Sequence, residues 1–178
     1  MALRELQIVP VGEPVAAFLK EVEAPIMQVL GITAFTGKLL LPSPVYAFNK
    51  DRKQYNTSAV MRRLNTVREI GVPWLLGIAD CDLFVPDMSF VYGDADREGK
   101  VAVMSLHRLR ADGDAWKRRA SVEAVHLAGH LIGLAACEDA RCAMFTATTI
   151  TDAERRQLQL CNNCRNEFKV LTGALRDR

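Results

Sequence analysis

Residues 126–137 read HLAGHLIGLAAC, and the fold turns on how this stretch is understood. His126 and His130 lie four apart among good helix formers, so both imidazoles fall on one face of a helix, about one turn from each other. A helix presents two ligands to a zinc ion in this way. Gly133 follows as a helix stop, and Ala136 and Cys137 come after it. A second constellation starts at that cysteine: Cys137, Cys142, Cys161 and Cys164 form two closely spaced pairs. Four thiolates so arranged suit a closed tetrahedral zinc site, which contributes folding energy directly.

Set against the protease pattern HExxHxxGxxH, the helix keeps both of its histidines and the glycine. The pattern's Glu is a general base, and its third His completes the metal site. Leu127 stands at the Glu position and Ala136 at the third His position. A catalytic zinc ordinarily has three protein ligands and one open position for water, so a second zinc at His126 and His130 is expected to be weak or absent. Loss of a general base alone typically costs ~10² to 10⁴ in rate. Two residues offer replacements. Glu123 lies three before His126 on the same stripe, where a surface or supporting place is expected, and His107 ends a strand-like run.

Outward from the helix, the chain divides into short elements. Leu6 to Val11 is β-rich, with Pro10 at an edge or strand end. A helix is expected over Pro14 to Leu30, broken or bent at Pro25, followed by a strand from Thr33 to Leu41. After a loop with Asn49, Arg52, Gln54 and Tyr55 comes a helix from Thr57 to Ile70, stopped by Gly71. Trp74 to Ala79 is a continuous apolar run suited to a strand buried on both faces. Ser89 to Tyr92 and Val101 to Leu106 read as a hairpin around the polar loop GDADREGK. The histidine helix spans Asp114 to Leu134, and a last helix begins at an Asp152 N-cap and runs through CNNC towards Leu175. This order implies an α/β (α+β) architecture, a twisted mixed sheet packed on helices.

With 178 residues, 49% hydrophobic and 25% charged, the chain is expected to form a single domain over 1–178, with a sheet and helix part at 1–133 and a zinc-binding part at 134–178. A net charge of +2 gives little attraction for phosphate, so nucleic acid is disfavoured as a partner. The cluster of Arg108, Arg110, Lys117, Arg118 and Arg119 reads as solvated surface. No run approaches a membrane span, and no signal peptide is visible. Metal-type cysteine spacing without secretory features points to a reducing cytoplasm, with Cys81 as a small core residue.

On HLAGHLIGLAAC, the join of residue 136 to Cys137, the Cys142–Ala143–Met144 run, and the segments RKQYNTSAVMRRL, LLGIADCDLFVPDMSFVYGDAD and VAVMSLHRL, the chain resembles the archaemetzincins, a metzincin-clan family of zinc metallopeptidases. The resemblance covers nearly the whole length. It implies a metzincin fold with an active-site helix, a cleft along an edge strand, Met144 as the Met-turn residue, and a structural zinc on the four cysteines beside the cleft. The departures at Leu127 and Ala136 point to a pseudo-protease that holds a peptide or protein segment in its cleft by strand addition. The alternative is an active zinc metallopeptidase with a non-standard catalytic site, its missing groups supplied by Glu123 or His107.

Overall fold

In the computed structural model, residues 4–14, 16–110 and 113–174 are described; Val15 in the expected first helix and Leu175 at the expected end of the last lie outside them. The chain runs β1 (Glu5–Val11), α1 (Ala16–Glu21), α2 (Glu23–Leu30), β2 (Thr33–Thr36), β3 (Phe48–Asn49), β4 (Gln54–Asn56), α3 (Thr57–Leu64) and β5 (Trp74–Ala79). It continues through β6 (Leu83–Phe84), β7 (Gly93–Asp96), β8 (Val101–Ser105), α4 (Ala115–Ile132), α5 (Ile150–Arg155) and α6 (Asn162–Ala174). Five strands form the main sheet in the order β2-β1-β5-β8-β7, all parallel except β7, which closes one edge antiparallel to β8. A small second sheet joins β3, β4 and β6.

Side-chain alternation along the inner strands sorts the core into two layers. Leu6, Ile8, Leu76, Ile78, Ala102 and Met104 face α2 and α4 in one buried cluster. Their neighbours Val9, Val11, Leu75, Ala79, Val101 and Val103 face Val60, Met61 and Leu64 of α3 in the other. The expected mixed architecture is therefore what forms, with helices on both faces of a sheet whose β5 is buried at every residue.

Several expected boundaries move. The break in the first helix falls at Val22, ahead of Pro25, which sits in the first turn of α2, where its missing N–H is harmless. Pro10 is the penultimate residue of an inner strand and lies past the paired part of β2, so of its two expected places it takes the strand end. The second strand stops at Thr36, and Leu41 returns only as a single bridge to Val11. The expected loop at 49–55 contains β3 and β4, and α3 ends at Leu64 in a 3₁₀ turn over Asn65–Val67.

Two corrections bear on the site. The hairpin strand antiparallel to β8 is Gly93–Asp96, part of what reads as polar loop, while 89–92 lies before it. Its residues are poor strand formers but only one of its edges needs a partner. The last helix is two helices: α5 is capped by Thr149 in a capping box with Asp152, not by Asp152 itself, and residues 156–161 break the run before α6. That break inserts Arg156 into the core and places Cys161 beside Cys142.

Candidate active-site cleft and thiol centre

Most of α4 is buried between the sheet and the C-terminal segment, and it ends at Gly133, whose φ of 118° turns the chain out of the helix. Two close approaches fix its depth. A Cβ on Gly129 would lie 2.4 Å from Met144 Sδ, and one on Gly93 of β7 would lie 2.6 Å from Leu127 Cδ1 and 3.1 Å from Glu123 Oε1. Met144 thus packs fully buried under the helix, and Leu127 packs against the edge strand.

His126 and His130 meet edge to face, ring centres 4.4 Å apart, with Nε2 to Nε2 at 3.1 Å. Both line a cleft of about 290 Å³ with Phe90, Tyr92, Gly93 and Arg97. Burial pushes the His126 imidazole down to about 4 despite Glu123 nearby, and burial likewise lowers His130. Neutral rings have one donor each. His126 Nδ1 lies 3.0 Å from the Ala143 carbonyl, which only accepts, so His126 donates there and its Nε2 carries a bare lone pair. Arg97 Nη2 donates both to His130 Nδ1, at 2.9 Å, and to the Leu134 carbonyl. His130 Nδ1 also lies 2.9 Å from the Leu134 carbonyl, so a proton on Nδ1 is donated there and leaves Nε2 bare beside that of His126, whereas a proton on Nε2 is donated to His126 and leaves Nδ1 to accept from Arg97. In the second tautomer every polar atom of the pair has a protein partner.

Glu123 corrects the surface reading: it is 3% exposed, and Arg156, fully buried, donates to its Oε2 at 2.6 Å. Burial pushes this carboxyl up, but Arg156 and the nearby histidine outweigh it and hold it below the usual range. Arg156 also donates to the Phe145 carbonyl, while its Nε has no partner among the described residues. Glu123 is thus the counter-ion of a buried guanidinium and is not free to act as base. Ala136 lines a different recess, with Cys137, Cys161 and Cys164, and His107 lies in a third with Phe48, Tyr55 and Cys81. Neither shares the histidines' cleft.

The four thiols gather where the spacing places them. Their sulfurs all lie within 4.8 Å of one another, with Cys137 and Cys161 3.7 Å apart. A tetrahedron with Zn–S near 2.3 Å has edges of about 3.8 Å, so the donor set fits zinc. Backbone N–H groups of Asp139, Met144 and Cys161 point at the sulfurs of Cys137 and Cys142, which suits thiolates. Burial, followed by its sulfur neighbours, pushes Cys164 well up, a cost that a bound cation removes. The histidine pair fits a catalytic zinc poorly: it supplies two donors where such a site has three, and among the described residues no free base lies beside it.

The basic cluster is the expected exposed face at Arg108, Arg110 and Arg118, and departs from it at Arg119. Arg119 is 1% exposed and donates to the Leu109 carbonyl and Glu154, and Arg118 holds the Glu154 and Arg156 carbonyls. Arg108 pairs with Asp82, Arg110 with Asp80 and Lys117 with Glu21. Cys81 packs against the second core cluster, its thiol pushed up to about 12 by burial and by Asp80 and Asp82. Among the described residues, no helix is long and apolar enough to cross a membrane. Arg97 and Arg156 escaped the sequence reading because nothing in their neighbourhood distinguishes them from surface arginines.

A glycine-ended helix with two histidines one turn apart, seated between an edge strand and a buried methionine, is the framework of a metzincin-type zinc metallopeptidase. Residues 6–170 match Peptidase family M54, and the chain belongs to that family, the archaemetzincins. It is 34% identical over 164 residues to the archaemetzincin of Methanocaldococcus jannaschii, covering 88% of each chain. To that of Pyrococcus furiosus it is 29% identical over 178 residues, covering 93% of each. The crystal structure of archaemetzincin from Methanopyrus kandleri superposes with a TM-score of 0.86 at 25% identity, covering 95% of both chains.

Proposed function

We propose that this chain is an archaemetzincin-type pseudo-protease, a single-domain cytoplasmic protein that keeps the family's peptide cleft and a structural zinc but does not hydrolyse peptide bonds. The observation carrying this reading is Leu127. It is 2% exposed and packed on Gly93, so the base position holds a core side chain. No apolar group can take a proton from water. Glu123, the nearest carboxylate in the cleft, neutralises Arg156. Zinc on Cys137, Cys142, Cys161 and Cys164 has no open position, so it stiffens the C-terminal segment and offers no Lewis-acid chemistry to a substrate.

Strand addition is the binding mode that β7 supports. It forms the sheet edge, and because Tyr92 bonds to β8, the alternation of an antiparallel ladder turns the N–H and C=O of Gly93 and the C=O of Ala95 outward. The Ala95 N–H is covered by Asp94 Oδ1. The test is zinc stoichiometry alongside an assay on casein and mixed peptide libraries. One zinc per chain and no cleavage above background are expected. Reproducible cleavage that disappears in His130→Ala would overturn the reading.

A further inference from the structure

The Arg97 guanidinium lies on the Nδ1 side of His130, away from the facing Nε2 atoms of the histidine pair, and its own surroundings say what it can hold. Nη2 is fixed by His130 Nδ1 and the Leu134 carbonyl, while Nε and Nη1 make no hydrogen bond among the described residues. Three N–H donors of a fork built for planar oxyanions are therefore free and pre-oriented. No carboxylate of the described residues pairs with Arg97. The two acids lining the cleft are committed elsewhere. Glu123 is tied to Arg156, and Asp94 accepts from the Thr57 hydroxyl at 2.6 Å. Asp94 is on the α3 side of β7, opposite the face where Gly93 meets Leu127. Most of the remaining wall is apolar, with Val85, Met88, Phe90, Tyr92 and Leu127, and Thr146 adds a hydroxyl. At about 290 Å³ the cavity is at the small end for a ligand site and takes one side chain with its attached polar group.

We propose that this cleft is a carboxylate-binding site anchored by Arg97, which captures an apolar group ending in a carboxylate, such as the C-terminal residue of a peptide. The inference rests on the pseudo-protease reading, in which the cleft binds without cleaving. The guanidinium supplies charge-assisted hydrogen bonds to the two oxygens, His130 holds it from behind, and Met88, Phe90 and Tyr92 cover the side chain. A free apolar carboxylic acid offers the same chemistry as a peptide terminus, apart from the backbone contacts to Gly93 and Ala95.

The test is calorimetric titration of the zinc-loaded full chain with N-acetyl tetrapeptides ending in Phe or Leu, each as free acid and as C-terminal amide, and with 3-phenylpropionate. The free acids are expected to bind at least tenfold more tightly than their amides in the wild type, a comparison that needs no variant. In Arg97→Gln the difference should vanish while the thermal midpoint stays within about 2 °C, since Arg97 is an exposed residue. Binding of the peptide acids without phenylpropionate identifies a peptide terminus as the ligand, and binding of both identifies a general apolar-carboxylate site; each supports the proposal. Equal affinity for acid and amide overturns it and leaves the pseudo-protease cleft standing. No binding of any peptide overturns the proposal and the strand-addition reading together, whereas cleavage of the peptides overturns the pseudo-protease reading.

Discussion

The two constellations lie only a few residues apart in the chain, yet the surrounding protein satisfies them to different degrees. At Cys137, Cys142, Cys161 and Cys164, four sulfurs lie within 4.8 Å of one another; burial and the neighbouring sulfurs push Cys164 up, while a backbone N–H and those sulfurs hold Cys161 down, so the set carries charge that a cation balances. At His126 and His130, with the His130 proton on Nε2, every polar atom has a protein partner: Ala143, the other histidine, and Arg97. A donor set without a metal is therefore either a stored cost or a repacked polar network. Ligand count decides which, because two donors can satisfy each other and four cannot.

The largest effect is expected at the thiol centre. Cys161→Ser should release the zinc and lower the thermal midpoint by roughly 15 °C, on the order of 5 kcal/mol for a chain of this size. Elemental analysis and calorimetry check it, and a folded variant that retains a full zinc equivalent would break the contrast. Next comes Glu123→Ala, which leaves Arg156 as an unpaired buried charge and should destabilise by about 3–5 kcal/mol in denaturant titration. If the cost is small, the histidine side of the molecule does not depend on this ion pair. Gly93→Ala forces a Cβ to 2.9 Å from the Val103 carbonyl oxygen and onto Leu127, for which about 1–3 kcal/mol is expected.

The smallest effect is the most pointed. Leu127→Glu with Ala136→His restores the composition of the family motif, but position 136 opens into the cysteine recess and Arg97 still donates to His130 Nδ1. To ligate through Nε2, His130 must carry its proton on Nδ1 and give it to the Leu134 carbonyl, which displaces Arg97. The double variant alone should gain a second zinc only weakly. Adding Arg97→Ala should tighten that zinc about tenfold, roughly 1.4 kcal/mol. Isothermal titration of chelator-treated protein measures it, and no difference with and without Arg97 would show that the guanidinium does not guard the pair.

Much of this was legible in the residues. The i, i+4 histidines, the Gly133 stop and the paired cysteine spacing are local periodicities, and they fixed the central helix and the thiol centre; the apolar run Trp74–Ala79 fixed the buried strand. Leu127 and Ala136 were visible as departures for the same reason. What only the tertiary structure decided concerns groups whose partners are distant in sequence. Gly93–Asp96 became an edge strand against its weak propensity because β8 needed a neighbour, and Glu123 was buried because Arg156, 33 residues away, arrives to neutralise it. Arg97, also 33 residues from His130, took the place beside the histidines. Spacing along a chain fixes which side chains share a helical face, since the helix repeat is constant; which charge meets which across the core depends on how the layers stack, and no local pattern encodes that.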